Sequence, residues 1–359
     1  MECIYLNPIY RAGINDNFII TDRIENVGFN TGNLVFVNAI KQQIKFKKEY
    51  LPGDITLTEL AQDNVGALSC ANFINLDTTY LVNLWKIISR QKFPVTLVGL
   101  GAQSTPKLNT PKKLMSFIPQ EGINALHNIC DRVVSIGVRG EFTAACLELI
   151  GIKNYRVIGC PSLYLNEKQI KNIKQPKGEK CVFNIITGNQ NERKVLELGI
   201  DYNMNWIMQC MIEMPKTVYE DRTLTQELVQ RRFPGYGGDV AILEEFMRSN
   251  AKMFFDMQDW YSYMEEEGFT FSFGARFHGN VVAYRSGIPA LWIVHDSRTK
   301  ELTDLFQLPA IDFSTLGKIK HLEELLEYCS YDEYYKRYPY MLNEYIKFLD
   351  ENHIDHIWN

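Results

Sequence analysis

The sequence predicts an α/β protein of two Rossmann-like, doubly wound halves with a cleft between them, followed by a helical tail. Three observations lead there. Short apolar runs bounded by turn residues alternate with stretches of helical spacing almost from end to end. At 359 residues the chain exceeds one ordinary core and suits two of roughly 150 to 180 residues each. Composition breaks near the middle, where NEKQIKNIKQPKGEK (166–180) is lysine-rich, polar and interrupted by Pro176 and Gly178, as in a linker or surface excursion. The expected boundaries are 1–168, 169–317 and a tail from 318 to 359.

In order, GFNTGNLVF (28–36) opens a helix, with Asn30, Gly32 and Asn33 placed for N-capping. FPVTLVGLG (93–101), DRVVSIGV (131–138) and YRVIGC (155–160) read as strands buried on both faces, the pattern of a parallel sheet. Between them PKKLMSFIPQEGINALHNIC and GEFTAACLELIG carry helical spacing, the second closed by Gly151. After the break, EKCVFNIIT, AKMFF, FTFSFG and PALWIVH read as strands, and TLTQELVQRRF, DMQDWYSYMEEEG and NVVAYRSG as helices. The tyrosine-rich tail is expected to be helical and to pack back across both halves. Ligands of such sheets bind at the carboxyl ends of the strands.

Composition removes several function classes. A net charge of -5 offers no broad basic surface, so no nucleic-acid partner is expected. The eight cysteines are scattered without a CxxC pair, which predicts buried free thiols and neither a disulfide framework nor a metal site. MECIYLNPIY lacks a signal-peptide pattern, and no apolar run approaches the ~20 residues of a membrane span. A cytoplasmic protein is expected.

The chemistry-bearing stretch is SFGARFHGNVVAYRSGIPALWIVHD (272–296), with Arg276, His278 and Gly279 between core-like runs. An unpaired buried guanidinium is costly, so an anion is expected there. Read as a turn from strand to helix, Arg276–Gly279 would point a guanidinium, an imidazole and a helix N-terminus at one cleft, a clamp for carboxylate or phosphate beside a proton carrier. A purely structural account pairs Arg276 with a carboxylate and has His278 cap the helix. Arg139, in SIGVRGEF, repeats that geometry in the other half, and its structural alternative is pairing with Glu141. Two arginines facing each other across the cleft could hold a small molecule bearing carboxylate and phosphate. GLGAQSTP (99–106) lacks dinucleotide and P-loop spacings, leaving Gln103 and Ser104 as hydrogen-bonding groups or a plain tight turn. FPGYGGDV (233–240), with Tyr236, reads as a mobile lid or a solvent loop. Tyr236, Trp260, Tyr261 and Trp292 could stack on sugars, although such residues are more often core. There is no GxSxG elbow.

Taken together, VRGEFTAACLELIGIKNYRVIGCPSLYL and GARFHGNVVAYRSGIPALWIVHDSRTKEL resemble the two signature regions of the polysaccharide pyruvyl transferase family, with weaker similarity reaching GFNTGNLVFVNAI and VGLGAQS. The resemblance implies a fold similar to GT-B glycosyltransferases. It implies transfer of an enolpyruvyl unit from phosphoenolpyruvate to two hydroxyls of one sugar, as a pyruvate ketal, in bacterial capsule or exopolysaccharide biosynthesis. Carried onto matching positions, it makes Arg139, Arg276, His278, Arg298 and Gly279 donor-binding, with Arg276 and His278 catalytic. Asn30, Asn33, Gln103, Ser104 and Tyr236 are left for the acceptor or its loops. Arg298 stands where the family often has lysine, keeping charge without lysine's ability to give a proton, and Asn33 stands where it has aspartate. The implied partners are phosphoenolpyruvate and a sugar or lipid-linked oligosaccharide, with no cofactor or metal, and contact with the inner face of the membrane is left open, as is the oligomeric state. Two alternatives accompany this: a GT-B glycosyltransferase using a nucleotide sugar, whose diphosphate the arginines would bind, and a non-catalytic glycan-binding subunit.

Overall fold

A computed structural model of the chain describes residues 2–9, 19–51, 64–165, 173–210 and 212–358. Two six-stranded sheets carry the fold. The first has the order β2-β1-β3-β4-β5-β6, from β1 (Glu2–Leu6), β2 (Lys48–Tyr50), β3 (Asn64–Ser69), β4 (Val95–Leu100), β5 (Val133–Val138) and β6 (Tyr155–Val157). The second has the order β12-β11-β10-β7-β8-β9, from β7 (Cys181–Asn184), β8 (Asn205–Ile207), β9 (Ala251–Lys252), β10 (Phe271–Gly274), β11 (Ala290–Val294) and β12 (Ala310–Asp312). Every pairing is parallel. β3, β4 and β10 are buried at every residue, because crossover helices cover both faces of such sheets.

Each sheet reverses its winding once, between β1 and β3 and between β7 and β10. At such a switch point the following loops diverge and leave a crevice at the strands' carboxyl ends. The lobes are not sealed from each other. One hydrophobic core runs from Tyr5, Val98 and Tyr164 of the first lobe through Phe183, Phe273 and Trp292 of the second into Tyr334 and Tyr345 of the tail. A second core, with Leu97, Leu126 and Ile136, covers the other face of the first sheet.

The tail is helical, over Leu322–Leu326 and Asp332–Glu351, and clamps both lobes. Tyr345 stacks on Tyr164 at 4.5 Å and donates to Gln43 Oε1. The Tyr338 hydroxyl accepts from the Leu165 amide and donates to its carbonyl. Arg156 grips Glu344 and Glu351, while Tyr331 donates to Ala290 of β11.

Several expected elements are corrected. AKMFF forms a strand only over Ala251–Lys252, because the next amide, of Met253, donates to the Tyr219 hydroxyl instead of a neighbouring strand. PKKLMSFIPQEGINALHNIC is two helices, Pro111–Phe117 and Gln120–Cys130, divided where Pro119 forces extended backbone on Ile118. The helix expected from NVVAYRSG starts earlier, at Phe277. Gly151 does take the left-handed conformation, at φ 81°. The stretch 166–172, with the 168/169 boundary, lies outside the described residues. No described helix is long and apolar enough to cross a membrane.

Candidate functional site

Arg139 follows β5, and its backbone amide still donates to Leu100 at the end of β4. Its guanidinium is 1% exposed and is held from three directions. Nε donates to the Gly99 carbonyl at 2.9 Å, Nη1 to Asn72 Oδ1 at 2.7 Å and Nη2 to the Cys70 carbonyl at 3.2 Å, with the Phe36 ring 5.5 Å away. These partners are neutral. Glu141, the structural alternative, is not among them.

Arg276 sits at the switch point of the second sheet. Gly274 ends β10 at φ 146°, where an added Cβ would collide with Asn184 at the end of β7. That closeness lets Asn184 Oδ1 accept from the Arg276 amide at 2.7 Å while Asn184 Nδ2 donates to Asn280. Asn280 in turn donates to the carbonyls of Gly274 and Leu291, which ties β7, β10 and β11 together. The Arg276 side chain donates from Nε to the Ile185 carbonyl at 3.3 Å and from Nη2 to the Cys210 sulfur. Arg276, in extended backbone, is the N-cap residue, and His278 lies in the first turn of the helix that begins at Phe277. The apolar Phe277 and Val281 faces are buried only if the helix begins there.

His278 is buried, with its ring 5.8 Å from Phe36 of the first lobe and 5.5 Å from Phe277, and Nε2 3.6 Å from Cys160 Sγ. It caps no helix end. Burial holds the imidazole well below its ordinary 6.5, and the Arg139 and Arg298 guanidiniums push the same way. Arg298, 9% exposed, is destabilised as a cation by burial, restored by Asp296 and opposed by Arg139 and Arg276. Three guanidiniums and one imidazole, drawn from both lobes, thus form one electrostatic unit. Among the described residues no carboxylate lies within ion-pair distance of Arg139 or Arg276, whereas Arg298 Nε is 3.7 Å from Asp296.

The remaining candidates fall around this centre. Gln103 donates to Asp296 Oδ2 at 2.9 Å, and the Ser104 amide donates to Ser297 Oγ, so GLGAQSTP joins the lobes rather than merely turning. Gly279 packs so closely on Gln209 and Asn184 that it admits no side chain. Helix Gly32–Gln43 has Thr31, not an asparagine, at its N-cap; Asn30 Oδ1 instead accepts from the Gly32 amide, and Asn33 reaches back to the Val27 carbonyl. An added Cβ on Gly32 would lie 3.2 Å from His278 Cβ, which places this turn against the imidazole. Tyr236, Trp260 and Trp292 are buried in the core, with no face free for a sugar.

Several residues escaped sequence reasoning. Cys160 and Cys210 touch His278 and Arg276 only through long-range folding. Glu192 is 2% exposed, and neither carboxylate oxygen has a well-formed hydrogen bond. Burial lifts it to about 8, against the pull of the Ile186 amide and Arg276. Asn280 had a legible signal, a lone amide in the apolar run of FHGNVVAY.

A family model described as polysaccharide pyruvyl transferase matches residues 66–297. A search of curated proteins finds no match. Among solved structures, the chain is similar to a putative UDP-N-acetylglucosamine 2-epimerase from Listeria monocytogenes, at 11% identity and TM-score 0.44, covering 100% of this chain and 92% of that one. It is also similar to a UDP co-structure of MnaA from S. aureus, at 10% identity and TM-score 0.43, covering 97% and 98%. An uncharacterized protein from Klebsiella pneumoniae subsp. pneumoniae aligns at 11% identity and TM-score 0.38, covering 84% and 88%.

Proposed function

Because this chain belongs to the polysaccharide pyruvyl transferase family, and is thereby a transferase, we propose that it moves an enolpyruvyl unit from phosphoenolpyruvate to two hydroxyls of one sugar, closing a pyruvate ketal on a glycan. One observation carries this: buried Arg139 and half-buried Arg276 both bear on Arg298, among the described residues neither has a carboxylate within ion-pair distance, and Arg139 bears on a buried imidazole held well below its ordinary value. Burying a guanidinium without a counter-charge costs several kcal/mol. Phosphoenolpyruvate would supply that counter-charge twice, as carboxylate and phosphate.

In this mechanism Arg139 and Arg276 clamp the two anionic ends, and Arg298, partly neutralised by Asp296, adds charge where the phosphate departs. Docking of the anion offsets the field of the guanidiniums and raises the proton affinity of His278, which then delivers a proton to C3 of the enol. C2 becomes oxocarbenium-like, one sugar hydroxyl attacks it, the C2–O bond to phosphate breaks, and the second hydroxyl closes the ring. Of the two hydroxyl protons released, one balances the proton placed on C3 and the other leaves with phosphate. The acceptor in this proposal is a sugar of a bacterial surface polysaccharide or of its lipid-linked precursor, met at the inner face of the membrane.

The test is a mass spectrum of candidate oligosaccharides after incubation with the protein and phosphoenolpyruvate, with thermal shift reporting donor binding. The expected product gains one pyruvate less one water. His278→Ala should abolish turnover and keep the shift, and Arg276→Ala should lose both. Stabilisation by nucleotide sugars and not by phosphoenolpyruvate would point to glycosyl transfer instead.

A further inference from the structure

A cavity of about 680 Å³ lies between the lobes beside the cation cluster, at the carboxyl ends of β4, β5 and β11. Its walls are Ser104, Asn109 and Phe142 from the first lobe and His295, Asp296 and Glu301 from the second. The size is that of a small-molecule site, for which about 300 to 1,000 Å³ is usual. Unlike the guanidinium cluster, the cavity has mainly acids among its charged groups. Asp304 pairs with Lys300 at 2.8 Å, and Asp296 is shared by His295, Gln103 and Arg298. Glu301 is held by the amide and hydroxyl of Thr143, and burial lifts it to about 7. Glu141 and Arg337 add one charge of each sign.

A phosphate or carboxylate gains little from such a lining, because Glu141, Asp296, Glu301 and Asp304 outnumber its permanent cations, Lys300 and Arg337. A neutral polyhydroxylated ring gains a great deal. Carboxylate, imidazole, amide and hydroxyl groups can satisfy its hydroxyls, while Phe142 and Leu305 offer apolar surface to its C–H face. Asp296 belongs to both places: its carboxylate lines the cavity, yet Oδ2 is 3.7 Å from Arg298 of the cation cluster.

We infer that this cavity is a subsite for a neutral pyranose and that it seats the acceptor sugar, with the Asp296 carboxylate as the wall between sugar and donor. Its role as acceptor subsite rests on the pyruvyl-transfer reading, whereas its affinity for a neutral sugar does not. Polarity then sorts the two substrates, the anionic donor to the guanidiniums and the uncharged ring to the acid-lined cavity.

The test is saturation-transfer NMR of the full chain with methyl glycosides of glucose, galactose, mannose and N-acetylglucosamine. At least one should receive transfer from the wild type. Asn109→Trp, at an exposed lining position where bulk disturbs no core, and Phe142→Ala should each weaken it by about tenfold or more. Arg276→Ala should leave it intact, and Asn109→Trp should keep the thermal shift with phosphoenolpyruvate. Transfer to none of the four glycosides, or transfer surviving in both lining variants, overturns the assignment. If glycoside binding follows the expected pattern while phosphoenolpyruvate fails to stabilise the wild type, the pyruvyl donor falls and the sugar subsite stands.

Discussion

Glu301→Gln tests whether the seam between the lobes is as dry as its geometry requires. Glu301 is 7% exposed on the second lobe, and its carboxylate accepts from the Thr143 amide at 3.0 Å and the Thr143 hydroxyl at 2.9 Å on the first. Burial raises its carboxyl from 4.5 to about 7, opposed by the two Thr143 bonds and by Arg139. An acid raised in the folded state binds more protons folded than unfolded, so its contribution to stability declines as pH climbs from about 4.5 to about 7 and is level above that. At roughly 1.4 kcal/mol per pH unit, the whole decline is about 3 kcal/mol. Glutamine retains an acceptor for the amide but does not titrate. Wild type should therefore lose about 3 kcal/mol relative to Glu301→Gln between pH 4.5 and 7.5, a relative Tm shift of about 4 °C in a chain of this size. Differential scanning fluorimetry of both proteins across that range reads it directly. A Tm difference constant to about 1 °C over the same range would refute the claim that this carboxylate is sealed between the lobes.

Four further outcomes follow from the geometry. Gly101→Ala places a Cβ 2.8 Å from Asn72 Oδ1 and 2.9 Å from Arg139 Cδ, so it should weaken phosphoenolpyruvate stabilisation by displacing the guanidinium, without abolishing folding. His278, depressed below 6.5, takes up its proton on unfolding, so stability is lost as pH falls below about 6.5; His278→Gln should flatten that acid limb in thermal scans. Tyr338→Phe strips both the Leu165 amide and its carbonyl of their partner and should cost about 2 to 6 kcal/mol in denaturant titration, since each buried orphan costs about 1 to 3. Arg139→Met leaves the carbonyls of Gly99 and Cys70 unpaired and should both lower Tm and eliminate the donor-dependent shift.

Much of the fold was legible because its strands are buried on both faces and so read as continuous apolar runs, as in VTLVGL and FSFG. Where backbone pairing depends on a distant group the pattern fails, as at Met253, whose amide goes to Tyr219. At the site, Arg139, Arg276 and His278 stood out because charged or titratable groups interrupt core-like sequence, whereas Arg298 came only from the family resemblance. Glu192 and Glu301 did not stand out, since acidic residues are common on helices and nothing local marks a buried one. The cysteines are free, Cys130 and Cys210 only half-buried, and Cys160 beside His278 joins residues 118 positions apart.

The amino-acid order alone determined that the chain alternates strand and helix, that its strands are interior, and that a cation follows one strand in each half, because these depend on spacing and on neighbours in the chain. Only the tertiary structure decided that Arg139 and Arg276 bear on Arg298 rather than on a paired carboxylate, that His278 is held below its ordinary value, and that acids line the seam. Those outcomes depend on distance and desolvation, which arise from packing one lobe against the other.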